Sequence, residues 1–282
     1  MKAKTQYIIA MAIYGTIGIL RRWTPIPSSL LALARAFIGM LFLLALTCAM
    51  KKTVDFDAVR KNAKYLLFAG IMLGFNWILL FEAYNYTTVA TATLCYYMAP
   101  LFMILASRIF FKEKISVRKW ICMAVALVGM VFVTGVADGG IRGGKGILLG
   151  LAAAVLYAWI VMNNKMLKDI SSYDRTIVQL FISTIILIPY VLITENIASI
   201  EWTPLCIILV IVAGIVHTGI AYALFFGSIG KMPTNEVAIL SYIDPVLAVI
   251  LSALLLHEPM SLFAVIGTVM VIGALIASEK NT

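Results

Sequence analysis

Apolar runs recur along this chain with short polar segments between them, and their lengths predict ten helices. The approximate spans are 7–22, 29–50, 65–83, 89–108, 116–136, 146–164, 175–194, 203–226, 234–256 and 261–278. A helix needs roughly 20 apolar residues to cross a hydrocarbon core of about 30 Å, and most of these runs come close to that length. The connections carry turn and cap residues: Pro25 and Pro27, Asp138-Gly139-Gly140, Gly143-Gly144, Pro204, Pro233 and Pro259. The predicted fold class is an all-α membrane protein with ten transmembrane helices.

The pattern repeats. Adding 145 to a position in Ala90–Glu113 reaches Asn235–Glu258 without a gap, so that Tyr97 meets Tyr242, Pro100 meets Pro245, Ser107 meets Ser252 and Glu113 meets Glu258. The register extends outward, with Gly74 meeting Gly219, Phe81 meeting Phe226 and Ser116 meeting Ser261. Residues 1–140 and 141–282 are therefore read as two similar five-helix units. Five is odd, so the second unit enters the membrane upside down, as an inverted repeat. Paired proline-interrupted helices in matching halves of a membrane protein point to a transport site.

Composition and charge agree with a membrane protein. The chain of 282 residues is 63% hydrophobic and 12% charged, whereas a soluble domain is about half apolar and a quarter charged. The net charge of +9 does not indicate nucleic-acid binding, because the basic residues lie between spans. With the N-terminus cytoplasmic, 17 of the 22 Lys and Arg fall on the cytoplasmic side. Four face the other side (Arg21, Arg22, Arg142 and Lys145), and Arg35 lies within a span. This bias places both termini in the cytoplasm of a multi-pass cell-membrane protein. Lys2 and Lys4 before an apolar run imitate a signal peptide, but no convincing cleavage site follows, and Arg21-Arg22 come directly after. The stretch is read as the first span. Cys48, Cys95, Cys122 and Cys206 all sit in apolar runs without metal-site spacing, so neither a disulfide framework nor a metal centre is expected.

The motifs Tyr97-Met98-Ala99-Pro100 with Lys112-Glu113-Lys114, and Tyr242-Ile243-Asp244-Pro245 with His257-Glu258-Pro259, resemble the drug/metabolite transporter superfamily, specifically its EamA-type branch. Tyr14-Gly15, Arg35 and Gln179 fit the same branch, and the resemblance covers the whole chain. It implies ten helices around a central cavity lined by helices 1, 3, 4, 6, 8 and 9. It also implies small metabolites as substrates, often amino acids, and often export.

The candidate site follows from residue types. Pro100 and Pro245 each lack one helical donor and free a carbonyl near mid-span; the functional reading is a hinge lining a cavity, and the structural one a packed kink. Glu82 lies near the outer end of the third helix as a site for a substrate amine or a proton, or as a wetted interfacial charge. Asp244 lies deeper and needs a partner or a proton, and Arg35 is the candidate partner, although a structural role is favoured for that arginine. His217 is a possible proton relay, but a lone apolar-helix histidine is more often a packing residue. Tyr14, Asn76, Trp77, Tyr96, Tyr97, Tyr157, Trp159, Tyr222 and Tyr242 are the aromatic and polar cavity candidates, suited to an organic amine or amino acid through cation–π contact. About half are expected to face the cavity, with Trp77 and Tyr97 foremost. Glu113 and Glu258 each precede by three residues a serine able to cap the next helix, and a structural role is favoured for both.

The expected function is secondary-active export of an amino acid or related metabolite, without a cofactor, by a functional monomer in the bilayer, with proton coupling as one energy source. The alternative is uptake of a cationic amine or quaternary ammonium compound using an aromatic cavity with Glu82. No GxxxxGK[ST] loop is present. A membrane enzyme built on Ser228 and His217 is disfavoured, because Gly227-Ser228-Ile229-Gly230 reads as a helix end.

Overall fold

The computed structural model describes residues 2–87, 92, 95–112, 115–133, 143–255 and 262–279, and every regular element within them is helical. The first predicted span is two helices, α1 (Ala3–Gly15) and α2 (Ile17–Trp23), which meet at Thr16. The Thr16 hydroxyl donates to the Ile13 carbonyl at 2.7 Å, a local bond that competes with the helical ladder. α3 (Ser28–Ala49) follows. The next connection holds a short helix that the apolar pattern does not predict, α4 (Phe56–Lys61), because Asp55 caps it by accepting from the Ala58 amide at 2.9 Å. Then come α5 (Ala63–Tyr86), α6 (Ala99–Phe110), α7 (Val117–Val133), α8 (Gly144–Met166) and α9 (Ser172–Thr194). α10 (Pro204–Gly214) runs through a π-helical turn (Ile215–Ile220) into α11 (Ala221–Ile229). α12 (Thr234–Leu240), α13 (Ile243–Leu255) and α14 (Leu262–Glu279) complete the chain.

Five described helices are long and apolar enough to cross a membrane: α3, α5, α8, α9 and the continuous Pro204–Ile229. Their packing is reciprocal. α5 lies against α8 and α9, while α10, the π turn and α11 lie against α3 and α1. Small residues set these approaches. A Cβ on Gly70 or Gly74 of α5 would meet Ile182 or Ile186 of α9 at 2.7 and 2.9 Å. A Cβ on Gly214 or Gly219 would meet Ile38 Cβ or Phe42 Cδ1 of α3 at 2.5 and 2.7 Å. These two sets correspond, within one residue, under the 145-residue register. α7 packs on α14, its own counterpart in that register.

The proline segments differ from the expected mid-helix kink. The chain turns at Tyr97-Met98 before α6 and at Ser241-Tyr242 before α13, so each proline lies in the first turn of a new helix. There its missing N–H is one of the amides that find no helical partner anyway. The Met98 amide donates to the Cys95 carbonyl and the Tyr242 amide to the Ile239 carbonyl, both at 3.2 Å, the short-range bonds of a tightened helix end. Glu113, Lys114, His257, Glu258, Pro259 and Ser261 lie outside the described residues.

Candidate functional site

A cavity of about 680 Å³ occupies the middle of the bundle. α1 and α2 supply Met11, Tyr14 and Gly18, spaced three and four apart so that they share one helical face. α5 supplies Trp77, Phe81 and Tyr84 by the same rule, and α8 and α11 add Tyr157 and Tyr222. The two helix breaks meet here as well: Tyr96, Tyr97 and Pro100 come from one, Ser241 and Asp244 from the other. The lining reaches Arg21 and Ser28 at the face where α2 hands over to α3. Their side chains are joined, Arg21 Nε donating to Ser28 Oγ at 3.1 Å.

The cavity stops in the opposite direction. Tyr7, one turn of α1 beyond Met11, is fully buried and donates its hydroxyl to the Val237 carbonyl of α12 at 3.0 Å. Phe225 packs on its ring at 5.6 Å between centroids, and Phe226 packs on Phe225 at 5.1 Å. An aromatic plug thus lies under the floor of the cavity.

The walls are largely aromatic. Tyr14 meets Tyr222 edge-on at 5.5 Å, Tyr222 meets Trp77 edge-on at 6.1 Å, and Tyr96 tilts against Tyr157 at 5.7 Å. The buried Tyr14 hydroxyl has no hydrogen-bond partner among the described residues. Besides Arg21, two charged groups line this space, Asp244 of α13 and Arg35 of α3. The expected ion pair between them does not form. Arg35 instead donates through Nε to Thr218 Oγ1 at 2.9 Å and lies over the Trp77 ring, 5.0 Å from its centroid. Among the described residues, the Asp244 carboxyl has no hydrogen bond or ion pair. A carboxyl in a largely apolar surround is costly unless something supplies a hydrogen-bonding partner.

Tyr14, Trp77, Tyr96, Tyr97, Tyr222, Asp244 and Pro100 therefore line the cavity, and Tyr157 joins them. Six of the other candidates do not. Asn76 is buried behind the wall, donating to the Ala153 carbonyl at 2.6 Å. Trp159 is 41% exposed and packs edge-on against Phe110 at 5.3 Å on the outside of the bundle. It follows Tyr157 by two residues, a turn of about 200° on a helix, which reverses its direction. Glu82 lies one residue, about 100°, off the Phe81 face, and its carboxylate accepts the Tyr190 hydroxyl of α9 at 2.5 Å. His217 is buried in the π turn, with Nε2 2.8 Å from Thr16 Oγ1. Tyr242 is fully buried, and its hydroxyl donates to the carbonyl of its register mate Tyr97 at 3.3 Å. Pro245 is buried within α13. Sequence reading also missed lining residues, among them Phe81, Tyr84 and Ser241; the first two were available from helical spacing relative to Trp77.

The profile of the EamA-like transporter family matches residues 3–135 and 144–278. The chain belongs to this family. Its relatives include the uncharacterized transporter YxxF of Bacillus subtilis (strain 168), 29% identical over 276 residues, which are 95% of this chain and 86% of that one. The uncharacterized transporter YetK of the same organism is 27% identical over 98% of this chain and 86% of its own length. A crystal structure of another protein superposes with a TM-score of 0.88 at 18% identity, covering 98% of this chain and 97% of that chain, a likeness of fold. The EamA-family chain is thus a multi-pass membrane protein of the transporter class, with a small-molecule substrate and a lipid bilayer around it. Among the described residues, no group of three or more His, Cys, Asp or Glu is placed to hold a metal ion.

The position of Glu82 gives a first test. Glu82→Gln keeps an acceptor for Tyr190 and is expected to leave ligand-induced thermal shifts of the purified protein unchanged. Loss of the shift in this variant, with the fold intact, would return Glu82 to the binding site.

Proposed function

We propose that this chain is a secondary-active transporter that moves an amino acid or closely related metabolite out of the cell by alternating access around the cavity. The observation that carries the reading is the carboxyl of Asp244, with no hydrogen-bond or ion-pair partner among the described residues, in an aromatic-walled cavity of about 680 Å³ beside two helix breaks. A substrate ammonium satisfies that carboxyl, and the rings attract the cation through their faces. Ten spans as two inverted five-helix repeats account for the reciprocal packing of α5 on α9 and of α10–α11 on α3. With both termini in the cytoplasm of the plasma membrane, the α2–α3 face points outward and the plug around Tyr7 closes the inner side. Each half of the cavity comes from the same chain, which fits a functional monomer. Proton coupling fits a carboxyl that alternates between an ammonium and a proton.

The second reading is uptake of a cationic amine. The aromatic walls and Asp244 favour it as well, with Asp244 in the role that residue type alone suggests for Glu82. Thermal-shift titration of the purified protein against amino acids, primary amines and quaternary amines separates the two, since a ligand that binds the folded state raises its stability. Counterflow of the shifting compound in proteoliposomes then establishes transport. Stabilisation by nucleosides or sugars alone would overturn both readings.

A further inference from the structure

Arg35 sits in the cavity in a way that a purely structural arginine does not require. Its Nε–H is committed to Thr218 Oγ1 at 2.9 Å, while among the described residues its two terminal nitrogens have no hydrogen-bond or ion-pair partner. Thr218 takes the Nε–H, and the Trp77 ring centroid lies 5.0 Å from the guanidinium carbon. A guanidinium presents its N–H groups as a rigid fork that matches a carboxylate or phosphate.

The scaffold that holds it is unusual. Thr218 belongs to the π-helical turn Ile215–Ile220, and its hydroxyl proton goes to the Ala213 carbonyl, five residues back, at 3.0 Å. That leaves an oxygen lone pair for Arg35. Such π turns are rare and recur at functional sites. Gly39, one turn after Arg35 on α3, brings the two backbones together: a Cβ there would meet Thr218 Cγ2 at 2.9 Å and the Gly214 carbonyl at 3.0 Å. His217, next to Thr218, ties the same turn to the α1–α2 break. The Thr16 Oγ1 and His217 Nε2 atoms are hydrogen-bonded at 2.8 Å.

We infer that Arg35 is the anion-recognising group of the cavity, aimed by the π turn through Thr218, and that it selects substrates carrying a carboxylate as well as the ammonium taken by Asp244. This rests on the transport-cavity reading, and it chooses between that reading's two substrate classes. Arg35 contacts the substrate; Thr218 is a positioning residue that acts through it.

The test compares amino acids with the amines left when the carboxylate is removed: phenylalanine with phenethylamine, and leucine with isopentylamine, by thermal-shift titration of the full-length protein in detergent. For wild type, at least one amino acid is expected to bind roughly 10- to 100-fold more tightly than its amine, the range for hydrogen bonds to charged groups. Arg35→Gln is expected to erase the difference by weakening the amino acid alone. Thr218→Val is expected to narrow it, and Thr218→Ser to restore it, which covers the case in which Arg35→Gln does not fold. Equal affinity for acid and amine in wild type, or a preference that survives Arg35→Gln and Thr218→Val, would overturn the assignment while leaving the Asp244 cavity standing. No shift by any of these compounds would overturn the cavity reading, and the role of Arg35 with it.

Discussion

Proteoliposomes carrying Asp244→Asn are expected to lose substrate affinity by about 10- to 100-fold, because a charge-assisted contact to the substrate ammonium disappears. In a melt without ligand, the same variant is expected to unfold no earlier than wild type. Wild type holds a carboxyl in an aromatic-walled space with no partner among the described residues, and neutralising it removes a desolvation cost. Lost function with undiminished stability is the signature of a site group, whereas a structural carboxyl loses both together. Retained exchange with lost uphill accumulation would instead assign Asp244 to proton coupling. Unaltered affinity and accumulation would remove it from the site.

The second large effect is on folding. Gly214→Val is expected to lower the stability of the purified protein by about 1–3 kcal/mol, the usual range for forcing volume into a packed interface. The new Cβ falls 2.5 Å from Ile38 Cβ, close to the α3 backbone, where little can yield. Gly70→Val is expected to act alike, since its Cβ falls 2.7 Å from Ile182 Cβ. Thermal melts in detergent measure both. Gly18 is the control: a Cβ added there would meet nothing within 4 Å, and Gly18→Ala is expected to change stability little. A loss at Gly214 without one at Gly70 would argue against equivalent roles for the two interfaces.

Hydropathy made the helical membrane character legible, because apolar length is a property of the one-dimensional string. The 145-residue register was legible for the same reason. Which way a side chain faces was harder. Tyr157 and Trp159 are equally aromatic and two positions apart, yet one lines the cavity and the other packs against Phe110 outside it. Long apolar helices in a membrane lack the polar stripe that gives away the buried face of a soluble helix. Arg35 shows a second limit. Opposite charges in adjacent helices suggest an ion pair, but the partner of Arg35 is a threonine made available by a π turn, and nothing in residues 215–220 announces that extra residue per turn. The breaks at Thr16 and before Pro100 and Pro245 likewise depend on local hydrogen bonds that hydropathy does not see.

The hydroxyl of Tyr242 rests on the carbonyl of the residue 145 positions earlier. Under the proposed twofold relation, a residue that touches its own image lies on the axis. The bond is directional while the axis is not, so the proposed alternating access would carry its reversed form, Tyr97 hydroxyl to Tyr242 carbonyl, in the opposite-facing arrangement. Under the same proposal, a bias toward one side of the membrane comes from places where the halves differ: Met123, 3.5 Å from the Tyr242 hydroxyl, has Thr268 as its register mate, and Asp244 has Ala99.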